Sequence, residues 1–77
     1  MLKVNEENGW SIVHMQDELD MSNSNQFKEE VIRVLIENGK THVALDFSSL
    51  EYIDSSGLGT VVSLHKRCKI CLLYTSD

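Results

Sequence analysis

The fold of this protein is decided by the stretch LDFSSLEYIDSSGLG, residues 45–59. Its first residues belong to an alternating apolar segment, 42–47, which has the pattern of a half-buried strand. A helical pattern begins at its end, and the chain must turn between the two at Asp54-Ser55-Ser56-Gly57. Asp54 and Ser55 are both suited to cap that helix by accepting a hydrogen bond from a free amide. The stretch therefore predicts a strand, a turn and a helix with serine hydroxyls at its start.

Two strands are predicted near the N-terminus. Leu2 and Val4 begin the first strand, Trp10 to Met15 form the second, and residues 6–9 join them as a hairpin loop. The polar segment 16–25 that follows is typical of a helix start. Its candidates for the N-cap are Asp20, Ser22, Asn23 and Ser24.

Two amphipathic helices are predicted from apolar residues at three- and four-residue intervals. The apolar set of the first helix is Phe27, Val31, Val34 or Leu35, and Ile36. Asn38-Gly39 ends this helix, because glycine tolerates the left-handed conformation of a closing turn. The second apolar set is Leu58, Val61, Val62, Leu64 and His65, with Lys66, Arg67 and Lys69 in the last turn.

These elements describe an α/β domain with the order β-β-α-β-α. A strand, a helix and a second strand in succession favour a right-handed crossover, so we expect a mixed or parallel sheet with helices packed on it. A chain of 77 residues is a single small domain, which buries only about 60% of its unfolded surface.

The composition narrows the possible partners. The 12 acidic and 7 basic residues give a net charge of -5, which disfavours nucleic acid and anionic membrane surfaces. Two cysteines make no disulfide framework, and the N-terminus shows no apolar leader, so we expect a cytoplasmic protein. No apolar run approaches the roughly 20 residues of a membrane span. A protein or a small molecule is the expected partner.

Residues 45–59 resemble the signature of STAS domains, especially those of bacterial anti-sigma factor antagonists. Glu18-Leu19-Asp20 is similar to the acidic motif that follows the second strand in that family. The resemblance extends in collinear order over about residues 3–69. It implies a STAS-like fold that lacks the family's C-terminal strands and helices.

The resemblance also implies a regulatory domain that is not an enzyme and needs no cofactor or metal. In the family, the unphosphorylated antagonist binds an anti-sigma factor, which is a serine kinase, and the sigma factor is released. Phosphorylation of the serine after the signature aspartate prevents binding. That serine corresponds to Ser55, with Ser56 as the neighbouring alternative. The implied partner-binding residues are Asp20, Asp54, Ser55, Ser56, Gly57 and Leu58.

The alternative within the same family is a scaffold or transport accessory module without a phosphorylation switch. Other chemistries fit less well. A hydrolase built on Ser55 needs a base, but the three histidines, His14, His42 and His65, show no triad arrangement. Gly57-Leu58-Gly59 lacks the third glycine of a dinucleotide fingerprint and the lysine of a P-loop. Cys68 and Cys71, with His65 nearby, have the spacing of only half a zinc site.

Two features depart from the family pattern. Asp17 stands where the family commonly has glycine before the acidic motif. The C-terminal residues CLLYTSD resemble translated sequencing-adaptor read-through. We therefore expect a partial STAS domain over residues 1–69 and a non-native tail over residues 70–77. The apolar run Ile70 to Tyr74 is compatible both with a longer helix and with a strand.

Overall fold

The computed structural model describes residues 2–73. Six strands and two helices lie within this range. The strands are β1 (Lys3–Glu7), β2 (Trp10–His14), β3 (Glu18–Leu19), β4 (His42–Asp46), β5 (Tyr52–Ile53) and β6 (Lys69–Leu73). The helices are α1 (Ser24–Val34) and α2 (Ser55–His65), with a 3-10 turn, Ile36–Asn38, after α1. The predicted β-β-α-β-α order is confirmed, and β3, β5 and β6 add to it.

The main sheet is mixed and has the strand order β1-β2-β4-β6. β1 and β2 pair antiparallel through Asn8-Gly9, whose positive φ values of 53° and 84° suit a tight hairpin turn. β4 lies parallel to β2, and β6 lies parallel to β4. Because parallel strands end at the same edge, the segments that follow β2 and β4 meet there.

The core lies between one face of the main sheet and the two helices. Val13 and Leu45, which pair across β2 and β4, are completely buried. Val31 of α1 and Leu64 of α2 pack in the same cluster and are also at 0% exposure. Each such side chain contributes about 1.5 to 3 kcal/mol on burial, so this layer holds both helices on the sheet.

The sequence left open whether Val34 or Leu35 is the buried apolar residue near the end of α1. Leu35 is 3% exposed, whereas Val34 is 42% exposed. The 3-10 turn after α1 closes on Gly39, which adopts the left-handed conformation at φ 83°. The amphipathic helix and its glycine stop are therefore as predicted, with Leu35 in the core.

The buried face of α2 differs from the predicted apolar set. Leu58 and Val62 are 56% and 57% exposed, and His65 is exposed as well. The residues that face the interior are Gly57, Thr60, Val61 and Leu64. The prediction is confirmed for Val61 and Leu64 and was wrong for Leu58, Val62 and His65. It missed Gly57 and Thr60, because small residues rather than large apolar ones line the close contact of α2 with its neighbours. Thr60 is tolerated there because its hydroxyl lies 3.5 Å from the Ser24 carbonyl oxygen.

The segment after α2 is a strand. α2 ends at His65, so Lys69 belongs to β6 and not to the last turn of the helix as predicted. β6 pairs with β4 over its whole length, and the Leu73 carbonyl oxygen accepts a hydrogen bond from Phe47 N–H at 2.9 Å. Residues 74–77 lie outside the described residues, and the prediction that residues 70–77 are non-native stays a prediction. No helix within residues 2–73 is long and apolar enough to cross a membrane.

Candidate functional site

Ser55 and Ser56 are the first residues of α2, and both are exposed. Asp54 precedes them as the N-cap in an extended conformation. Its Oδ1 accepts a hydrogen bond from Gly57 N–H at 3.0 Å. The sequence allowed either Asp54 or Ser55 as the N-cap, and in the structure Asp54 is the N-cap. Ser55 therefore has no capping role and presents its hydroxyl at the positive end of the helix dipole.

Asp54 also ties the start of α2 to a loop that is distant in sequence. Its Oδ2 accepts a hydrogen bond from Met21 N–H at 3.2 Å, and its own N–H donates to the Leu19 carbonyl oxygen at 3.2 Å. β3 pairs parallel with β5, which sets Leu19 opposite Ile53. This small second sheet brings the acidic motif to the start of α2, where Ser55 lies.

Gly57 lets α2 approach β3 and β5 closely. A Cβ atom at this position would lie 2.5 Å from the Leu19 carbonyl oxygen and 2.8 Å from Ile53 Cγ1. Both distances are far inside van der Waals contact, so the packing requires a residue without a side chain. Gly57 is buried, and its close packing fixes where α2 begins; its predicted part in partner binding stays a prediction.

Asp20 is held in a tight loop before α1. Its Oδ1 accepts hydrogen bonds from the Ser22 hydroxyl at 2.6 Å and the Ser22 N–H at 2.9 Å. These bonds, the hydroxyl bond first, stabilise the charged form and lower the pKa of the Asp20 carboxyl. Asn23 is the N-cap residue of α1, but its side chain binds the Asp20 N–H and the Glu18 carbonyl oxygen instead. Asp20 lies between Leu19 and Met21, whose backbone groups both bind Asp54.

Exposed apolar side chains accompany Ser55 on the surface. Leu58 and Val62 follow Ser55 at helical spacing and lie on the same side of α2. Both are more than half exposed, and Met21, whose N–H binds Asp54, is 80% exposed. We call Met21, Ser55, Leu58 and Val62 the serine surface. Large exposed apolar side chains of this kind are typical of interaction sites. Of the four residues of the serine surface, the sequence had indicated Ser55 and Leu58 as partner-binding residues.

The described contacts of the three histidines are with residues other than Ser55. His65 ends α2, about 15 Å along the helix axis from Ser55. His14 Nδ1 lies 3.3 Å from Asp46 Oδ2, and the His42 ring stacks edge-on against Trp10 on the main sheet. None of these contacts aligns an imidazole with the Ser55 hydroxyl within residues 2–73, as a hydrolytic triad requires.

Cys68 and Cys71 do not share one site. Cys68 packs against the core and its Sγ lies 3.5 Å from the Leu64 carbonyl oxygen, whereas Cys71 pairs with Ala44 in the main sheet. Burial raises the pKa of the Cys68 thiol, which opposes the thiolate that a redox or zinc site needs. In the described part of the chain, no three His, Cys, Asp or Glu side chains are grouped to hold a metal ion.

Replacing Asp54 by alanine is expected to lower the free energy of unfolding by about 1 to 2 kcal/mol, because the α2 cap and the Met21 hydrogen bond are both lost. Asp54→Asn is the matched control, since asparagine also caps helices, and its loss should be less than half as large. Urea unfolding of the three proteins measures the difference. Equal losses in the two variants would refute a hydrogen-bonding role.

Solved structures with this fold include regulators of sigma factors. An anti-sigma factor antagonist from Mycobacterium paratuberculosis is 18% identical with a TM-score of 0.83, over 99% of this chain and 68% of that chain. SpoIIAA in its unphosphorylated form is 19% identical with a TM-score of 0.77, over 100% of this chain and 76% of that chain. The Bacillus cell fate determinant SpoIIAA in its phosphorylated form is 17% identical with a TM-score of 0.72, over 100% and 74%.

These likenesses establish the fold. The family follows from the sequence itself, because the family model of the STAS domain matches residues 1–73, which is nearly the whole chain. The match includes the acidic motif, the serine-bearing turn and β6. The chain therefore belongs to the STAS domain family.

Proposed function

We propose that this STAS domain is an anti-sigma factor antagonist, a regulatory protein and not an enzyme. In this proposal its unphosphorylated form binds an anti-sigma factor serine kinase and so releases a sigma factor, and phosphorylation of Ser55 prevents binding. The observation that carries the proposal is the exposed Ser55 hydroxyl at the start of α2, beside the exposed side chains of Met21, Leu58 and Val62. A kinase that consumes ATP acts in the cytoplasm, which is where we expect the protein.

The fold is suited to accept a phosphoryl group at Ser55. Phosphorylation adds about 1.5 to 2 negative charges, and the N-terminus of a helix attracts negative charge by about 0.3 to 1 kcal/mol. Asp54 and not Ser55 caps α2, so modification of Ser55 breaks no hydrogen bond of the cap. The domain is therefore expected to stay folded in both states.

The same charge acts differently across an interface. A negative charge about 4 Å from a partner carboxylate costs roughly 4 kcal/mol at an effective dielectric constant of 20. Because about 1.4 kcal/mol is a tenfold change in affinity, this cost releases a partner bound at micromolar strength. Asp20 and Asp54 already make the border of the serine surface negative, so the phosphoryl group adds to an existing charge of the same sign.

Phosphorylation by the cognate anti-sigma factor kinase with ATP tests the proposal. Mass spectrometry of the product is expected to find one phosphate on Ser55. Ser55→Ala should abolish incorporation, and Ser56→Ala is the matched control that should retain it. Incorporation that is lost in Ser56→Ala but kept in Ser55→Ala would move the switch to Ser56. The absence of phosphate on either serine would favour a scaffold module without a switch.

A further inference from the structure

Within residues 2–73, β6 is an outer strand of the main sheet, with β4 as its neighbour on one side. The Lys69 N–H donates to the Thr41 carbonyl oxygen at 2.8 Å, and the Leu73 carbonyl oxygen accepts from the Phe47 N–H at 2.9 Å. Backbone groups of successive strand residues point to opposite sides within the plane of a sheet. Residues 69, 71 and 73 therefore bond to β4, whereas residues 70 and 72 direct their N–H and C=O groups to the open edge.

The side chains of β6 leave this edge unprotected. On the other outer strand, β1, charged side chains discourage pairing with another chain, and these are Lys3, Glu6 and Glu7. In β6 the four residues after Lys69 are uncharged and apolar, ICLL. Leu72 and Leu73 are 41% and 37% exposed. β6 thus combines open backbone groups with exposed apolar side chains, which is typical of a strand that pairs with a further strand.

We propose that β6 pairs antiparallel with β6 of a second copy of this chain, in the register that sets Cys71 opposite Cys71 of that copy. Cys71 is the middle residue of β6, so this register aligns the whole strand with itself. It sets Ile70 of each copy opposite Leu72 of the other, and the backbone groups that face the open edge bond to one another. It also covers the exposed Leu72 with Ile70, which packs on the core.

The charges around β6 favour a second copy in the antiparallel orientation. The segment KRCK, residues 66–69, makes the start of β6 basic, whereas Asp46 lies in register with Leu73 at the end of β6. Hydrogen bonds, first that from the Ser48 N–H, and the nearby His14 lower the pKa of the Asp46 carboxyl, so it carries its charge. Antiparallel pairing places the basic start of one strand about 10 Å from this carboxylate of the other copy. Parallel pairing would bring the two basic segments together.

The proposal does not rest on phosphorylation of Ser55 or on an anti-sigma factor, so its failure would leave the proposed function untouched. A single pair of short strands is an interface at the small end of the range, below about 1,200 Å², which is typical of weak association. The dimer is therefore expected to be reversible and to form only as the protein concentration rises.

Sedimentation velocity of the full 77-residue chain under reducing conditions tests the proposal, and we expect the dimer fraction to grow between about 10 µM and about 1 mM. Leu72→Lys should weaken dimerisation at least about tenfold, because it puts a charge into the apolar strand pair. Val34→Lys is the matched control, since Val34 on α1 is 42% exposed, and its dimerisation should stay within about twofold of the wild type. A monomer throughout, or equal effects of the two variants, would overturn the proposal.

Thiol cross-linking tests the register. Opposite residues of a non-hydrogen-bonded antiparallel pair have Cα atoms about 4.5 Å apart, which a disulfide can bridge. Diamide, which takes up the two electrons and two protons of two thiols, should therefore link two copies through Cys71. Cys68→Ser should keep this link and Cys71→Ser should lose it. A link through Cys68 instead, or a Cys71 link that Leu72→Lys leaves unchanged, would refute the pairing. Amide spectra of each variant check that it is folded.

Discussion

Replacing Ser55 by aspartate is expected to weaken binding of the anti-sigma factor kinase by about 100-fold while leaving the fold intact. The added carboxylate lies at the start of α2 beside exposed apolar side chains, which is the surface where the proposed function places the partner. A negative charge there meets the partner at short range, and the cost of a few kcal/mol corresponds to two orders of magnitude. Within the domain, the helix dipole favours the same charge. Calorimetric titration of both proteins with the kinase measures the effect.

Thr41→Asp is the control for this experiment. Thr41 is an exposed hydroxyl residue directly before β4, whereas the serine surface follows the end of that strand in the chain. The variant carries the same added charge, and its affinity for the kinase should equal that of the wild type. Equal affinities of wild type, Ser55→Asp and Thr41→Asp would contradict a switch at Ser55 and would favour a scaffold role. A large loss in Thr41→Asp would mean that net charge controls binding.

Replacing Gly57 by alanine is expected to lower the free energy of unfolding by about 2 to 3 kcal/mol. The new Cβ would lie 2.5 Å from the Leu19 carbonyl oxygen and 3.0 Å from Leu19 Cγ. Backbone and core atoms form this contact, so α2 has to shift away from β3, which is the costly form of overpacking. Such a loss is a large fraction of the stability of a 77-residue domain. Denaturant unfolding followed by circular dichroism measures it.

Gly59→Ala is the matched control within the same helix. A Cβ atom at Gly59 would have no atom within 4 Å other than those of its chain neighbours and of the backbone of its own helix, so alanine adds helix propensity without a clash. The free energy of unfolding should rise by up to about 1 kcal/mol. The two glycine variants are therefore expected to change stability in opposite directions. A gain in both would mean that the close approach of α2 to β3 is not needed for folding.

Elements with strong local patterns were predictable from the sequence. Asn8-Gly9 supplies the backbone conformation of a tight hairpin turn, and Gly39 closes the turn after α1 in the same way. The alternation of Val43 and Leu45 indicated β4, and the periodic apolar residues indicated α1. Each of these signals depends on neighbours within a few residues, where backbone preference and side-chain spacing decide the structure. The exposed Ser55 at the start of α2 was predictable for the same reason.

The tertiary structure decided which distant residues surround that serine. β3 and β5 have only two residues each, which is too short for a recognisable sequence pattern. Their pairing nevertheless brings Met21 within hydrogen-bonding distance of Asp54, which lies 33 positions later in the sequence. The exposed side of α2 also depends on packing, because Gly57 permits a close contact that turns Leu58 towards solvent. The sequence by itself thus determined β1, β2, β4, α1 and α2, and the serine hydroxyl at the start of α2. The surface around that hydroxyl was decided by long-range packing, since burial depends on neighbours that local patterns do not encode.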